Sequence, residues 1–167
     1  TGFVNPQDVA DAITEKTILV SVIHGNNEIG TIQHLQEIGK ICQEKNVLFH
    51  TDACQSFTKV PIKIKKMNLD LMTINAHKIH GPKGVGALYI REGIKITPLL
   101  HGGGQEFKLR SSTENVPGIV GFGKAVQVAS NRDVKRIKKL RDYFIEKITN
   151  EISNVSLNGP SREDRLC

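Results

Sequence analysis

The sequence predicts an α/β fold, a three-layer arrangement in which helices cover a sheet of mostly parallel strands. Two observations carry this prediction. Short apolar, β-rich runs alternate with segments of helical periodicity, in the strand, loop, helix, strand order that right-handed crossovers impose on parallel strands covered on both faces. The chain is also of ordinary globular make-up: 38% of its 167 residues are hydrophobic and 15 more are glycine. That length supports one domain and a real core, and that composition excludes a disordered or collagen-like chain.

Residues 6–14 (PQDVADAIT) predict a short helix, with Pro6 near its start where a missing amide costs nothing. The apolar run 17–23 reads as a buried strand, followed by the turn-rich loop 24–30. Leu35, Ile38, Ile41 and Cys42 recur at the spacing of an amphipathic helix. A second strand is expected over 47–50. After the loop 51–58, residues 59–66 carry four lysines, and a third strand over 69–74 runs into Asn75, Ala76, His77 and Lys78. Residues 84–91 predict a fourth. From Pro117 to Ile148 the apolar positions predict one long helix or two. The segment 132–147 holds seven basic and three acidic residues and reads as a solvated face rather than a nucleic-acid stripe. Residues 155–157 look like the start of another strand.

The net charge of +6 suits an anionic ligand and does not demand nucleic acid. No apolar run approaches the roughly 18 to 20 residues that span a bilayer, and the first residues form no export signal, so neither nucleic acid nor membrane is an expected partner. Cys42, Cys54 and Cys167 match no disulfide framework and no zinc pattern, which fits a cytoplasmic protein. A chain that starts at Thr1 and stops at Cys167 without a helix stop reads as a piece of a longer one.

Several patterns fail on their chemistry. The glycines after His101 resemble an oxyanion loop, but no G-x-S-x-G elbow accompanies them. Residues 81–86 (GPKGVG) lack the Lys-Ser/Thr pair of a P-loop. His77 and His80 have no third ligand nearby, so no metal is expected. What remains is a constellation at the carboxyl ends of three successive strands, where open α/β sheets bind ligands: Asn27, then Asp52 and Gln55, then His77 and Lys78. An amine and a carboxylate converging there suit pyridoxal phosphate, which needs a lysine to bond it and an acid to keep its ring nitrogen protonated.

Five segments, 26–31 (NNEIGT), 51–56 (TDACQS), 76–84 (AHKIHGPKG), 101–106 (HGGGQE) and 110–113 (RSST), stand in an order and spacing that resembles the cysteine desulfurases of the class V aminotransferase group, over almost the whole length. The resemblance implies a pyridoxal-phosphate (PLP) transferase type of large domain, incomplete in this chain. Residues 1–130 would be its central part, and 131–167 a connecting helix and the start of a small C-terminal domain. Lys78, as a buried lysine, would bond the cofactor and shuttle protons. Asp52 would pair with the ring nitrogen, Gln55 would donate to the phenolic oxygen, and Asn27 would lie by that oxygen and the substrate carboxylate. His77 would bond the phosphate, with Asn75 standing where many members place a phosphate-binding serine or threonine. Thr113 would reach the phosphate of a neighbouring subunit, completing the site in a homodimer.

The reaction so implied takes sulfur from L-cysteine, leaving L-alanine and an enzyme persulfide for an iron–sulfur scaffold or another sulfur acceptor. The family's nucleophilic cysteine and substrate-binding arginine would lie beyond residue 167, and none of Cys42, Cys54 and Cys167 is expected to replace that cysteine. The 167 residues alone are expected to be inactive and prone to associate. Selenocysteine lyase chemistry on the same fold, and a non-catalytic basic module using residues 59–66 and 132–141, are the alternative readings.

Overall fold

The computed structural model describes residues 2–166, and at positions 131 and 132 the backbone alone. Four strands form one sheet in the order β1 (Leu19–Ile23), β2 (Leu48–Asp52), β3 (Leu71–Asn75) and β4 (Gly86–Ile90). The first three are parallel, and β4 runs antiparallel to β3. Four helices accompany them: α1 (Pro6–Ala12), α2 (Leu35–Glu44), α3 (Val116–Val128) and α4 (Asn131–Glu151). The α/β class with a mostly parallel sheet is thus as expected.

Local chemistry sets the helix starts. The Asn5 side chain accepts from the Gln7 amide at 3.0 Å and Pro6 opens α1, while Asn115 accepts from the Gly118 amide at 3.1 Å at the start of α3. α2 turns Leu35, Ile38 and Cys42 inward onto Phe49 of β2 and Leu69, with Val9 and Ile13 of the α1 region closing the cluster. Gly39 lets α2 approach the chain before β3, since a Cβ there would sit 1.9 Å from the Met67 carbonyl oxygen. A second cluster joins Ala76 and Ile79 to Phe122 and Ala125 of α3, with Ile74 and Val85 packed against it. Asp70 ties the amino end of the sheet, accepting from the Phe49 amide at 2.8 Å and pairing with Arg91 at 2.6 Å.

Two expectations change, for β1 and for residues 155–157, and two open points are decided. β1 is an edge strand and not a buried one: α1 and α2 reach only its Val20 and Val22, and Leu19, Ser21 and Ile23 alternate outward and are exposed. The fourth strand reverses direction because only a short turn-rich segment separates it from β3, too little chain for a crossover. The stretch after Pro117 is two helices, broken where Ala129 adopts an extended backbone (φ −57°, ψ 127°). Residues 155–157 form no strand.

The chain instead returns as a strap, with the Ile32 amide donating to the Asp164 carbonyl at 2.8 Å and the Leu166 amide to the Gly30 carbonyl at 2.7 Å. Arg141 of α4 holds this strap by donating to the carbonyls of Arg162 at 2.9 Å, of Leu166 at 3.3 Å and of Arg165. The buried Arg165 in turn donates to the carbonyls of Pro160 and Asn158.

Candidate active site

Three parallel strands end on one edge, and the backbone extends that edge past them. The His24 amide donates to the Asp52 carbonyl and the Ala53 amide to the Thr73 carbonyl, both at 2.9 Å. Asp52 and Asn75, the last residues of their strands, and Asn27, Gln55, His77 and Lys78 in the segments that follow the strands therefore lie along a single edge, where the sequence places them.

Asp52, the last residue of β2, is half-buried and accepts from the Cys54 amide at 2.8 Å, a turn that aims the carboxylate along the edge. Asn75 ends β3 and accepts from the Lys78 amide at 3.2 Å, fixing the turn that presents Lys78. The short 3-10 helix His77–Ile79 closes with His80 at a left-handed φ of 66° and with Gly81, whose absent Cβ would stand 2.9 Å from that of Ala76. Lys78 and His77 are exposed. The expected burial of Lys78 is not found: the turn buries Ala76 and Ile79 against α3 and leaves Lys78 on its exposed side.

Gln55 is half-buried in the turn after Asp52, and Asn27 is exposed in the loop after β1. That loop takes its shape from Asn26, whose side chain accepts from the amides of Glu28 at 2.8 Å and Ile29 at 2.9 Å. Thr113 lies apart, in the exposed stretch before α3, where its carbonyl accepts from the Ser112 hydroxyl.

Neither described cysteine is a ready nucleophile. The Cys54 thiol lies 3.9 Å from the Thr73 carbonyl oxygen, and burial, with Asp52 adding to it, pushes it up to about 11. Cys42 is buried in the core and is likewise pushed up to about 11, by burial first and by Asp70 second. Both stay as thiols near neutral pH, whereas the thiolate is the reactive form. Cys167 lies outside the described residues.

Two histidines were not picked out from the sequence. His24 is buried, with Nδ1 2.9 Å from Ser56 Oγ, and burial lowers it to about 4. His50 bridges Ser21 and Thr73, and its only signal in the sequence is that it stands two residues before Asp52 on the same strand. A cavity of about 520 Å³ lined by Cys42, Asp70, Tyr89 and Arg91 lies at the amino ends of the parallel strands β2 and β3, away from this chemistry. Among the described residues no group of three His, Cys, Asp or Glu side chains is placed to hold a metal ion, and no helix is long and apolar enough to cross a membrane.

The class-V aminotransferase family model matches residues 1–166. The chain belongs to this family. Cysteine desulfurase IscS of Dictyoglomus turgidum is 51% identical over 168 residues, covering 99% of this chain and 42% of the relative. The Clostridium botulinum protein of the same name is 52% identical over 167 residues, covering 98% and 42%. A solved structure described as a NifS-like protein superposes with a TM-score of 0.88 at 40% identity, over 99% of this chain and 46% of that one. A second, described as SspA in complex with cysteine, gives 0.81 at 40% identity, over 95% and 46%. The class-V aminotransferase chain thus spans under half the length of the proteins it matches, and the resemblance read from its five motifs is borne out.

Class-V aminotransferases are pyridoxal-phosphate enzymes, and the residues present fit that group. The edge offers a carboxylate (Asp52), an accessible amine (Lys78), two amides (Gln55 and Asn75) and an imidazole (His77), which together match a cationic ring nitrogen, a bonded carbon, a phenolic oxygen and a phosphate.

Proposed function

We propose that this chain is the cofactor-binding core of a cysteine desulfurase that takes sulfur from L-cysteine and leaves L-alanine. One observation carries the reading: Asp52, Asn75 and Lys78 stand together at the ends of neighbouring parallel strands, with Asn75 fixing the Lys78 turn at 3.2 Å. When bound, pyridoxal phosphate supplies an electron sink for the carbon next to the substrate amine.

The side chains divide the remaining work. Asp52 would hold a proton on the ring nitrogen by pairing with it, from a half-buried place at the carboxyl end of β2. Lys78 would bond the cofactor, and its amine would move the proton at the substrate α-carbon. Gln55 donates to the phenolic oxygen, and Asn27 orients the substrate carboxylate beside it. His77 and Asn75 bond the phosphate, and Thr113 reaches the phosphate of a partner subunit in a homodimer. In this reading residues 1–130 belong to the large domain and 131–167 lead into a small one. The sulfur passes as a persulfide to an iron–sulfur scaffold or another acceptor protein in the cytoplasm, through a cysteine outside these 167 residues.

The test is the absorbance of the purified protein titrated with pyridoxal phosphate, beside Lys78→Ala. A near-visible band that needs Lys78 is the expected result. Equal spectra for the two proteins would sink the reading.

A further inference from the structure

On the sheet face that carries Asp52, the residues fall into rows across the strands. Ile23, Asp52 and Thr73 form the row at the carboxyl edge, and Ser21 and His50 stand one row below. The His50 imidazole links the rows, with Nδ1 2.7 Å from Ser21 Oγ and Nε2 2.9 Å from Thr73 Oγ1. One side chain thereby ties β1 to β3 through β2, and it does so at the residue that pairs with Asp52 in the sheet.

Both ring nitrogens are engaged. A neutral imidazole has one donor and one acceptor, so in either tautomer one hydroxyl gives it a hydrogen and the other receives one. His50 and Asp52 share a face two residues apart, yet both ring nitrogens are taken by the hydroxyls of the flanking strands, Ser21 in its own row and Thr73 in the row of Asp52. Burial lowers the tendency of His50 to take a proton, and Asp52, the charged group facing it, works in the opposite direction. With the ring neutral, no imidazolium competes with a cationic ring nitrogen for the Asp52 carboxylate.

We propose that His50, held by Ser21 and Thr73, is a positioning residue for Asp52: it fixes the carboxyl edge of the three strands and withholds its own nitrogens from the carboxylate. The inference rests on the cofactor reading above. It concerns a device within the sheet, beneath the residues that touch the cofactor.

The experiment measures the dissociation constant of pyridoxal phosphate and the pH midpoint of its visible band, together with the unfolding midpoint of the cofactor-free protein. His50→Phe keeps a ring without hydrogen bonds, His50→Gln keeps a donor and an acceptor, and Thr73→Val removes one partner while leaving the imidazole. The expected result is about tenfold weaker binding and a displaced pH midpoint in His50→Phe and Thr73→Val, with recovery to within about threefold in His50→Gln. Nitrogen NMR of the cofactor-free protein is expected to show His50 neutral at pH 7.

Unchanged affinity and pH midpoint in both His50→Phe and Thr73→Val, while Asp52→Asn loses binding, would overturn the proposal and leave the cofactor reading intact. Losses that track the unfolding midpoint and are not rescued by His50→Gln would overturn it as well. If His50→Phe does not fold, Thr73→Val decides. Retention of binding by both Asp52→Asn and Lys78→Ala would instead overturn the cofactor reading and this inference with it.

Discussion

Burial decides the behaviour of single residues here more than charge does, and His24 is the clearest case. Its folded-state value of about 4 lies below the ordinary 6.5, so between those values the unfolded chain binds more protons than the native one. Stability is therefore complete above about pH 6.5 and is lost as pH falls toward 4, by on the order of 3 kcal/mol. Urea unfolding at neutral pH and at mildly acid pH is expected to show this loss, and His24→Gln, which keeps a partner for Ser56, is expected to flatten it. Residue chemistry was legible where a type announces its use: a lysine and an aspartate at strand ends invite a cofactor, and both stand at the edge. The histidines were not legible, because a sequence shows neither how deep His24 lies nor that Ser21 and Thr73, far apart along the chain, would meet at His50.

Elements with a one-sided pattern were read correctly, since α2 shows its apolar face directly and β2 and β3 carry compact apolar runs. What the pattern could not convey was neighbourhood. An apolar run looks alike in a central or an edge strand, so β1 was expected to be buried, and nothing in residues 84–91 betrays the reversed direction of β4. Gly39 shows why propensity alone misleads at this scale. Replacing a helical glycine with alanine ordinarily gains up to about 1 kcal/mol. Here the new methyl would meet the Met67 carbonyl oxygen at 1.9 Å and Phe49 Cδ1 at 3.2 Å, a clash of a kind that costs roughly 1 to 3 kcal/mol. Gly39→Ala is therefore expected to lower the denaturation midpoint, whereas Gly123→Ala in α3, which meets nothing within 4 Å, is expected to raise it.

For the molecule as a whole, the helical cover is uneven. The core clusters place α1, α2 and α3 against one face of the sheet, while Leu19, Ile23 and Leu88 on the other are 42%, 50% and 46% exposed. Ile137, Leu140 and Phe144 of α4 are exposed as well. Apolar surface of this extent drives association, so light scattering of the 167-residue chain is expected to show particle size rising with concentration. The double substitution Ile23→Lys and Leu88→Lys is expected to suppress that rise. The strap that Arg141 holds adds an element of timing. The loop bearing Asn27 is bonded at Gly30 and Ile32 to residues 164 and 166, so its shape depends on chain that leaves the ribosome more than a hundred residues later. The strands can pair as they emerge, but the first loop of the candidate site waits for residues 164 and 166 to be translated, and a ribosome that stalls between them would release a sheet whose candidate site is unfinished.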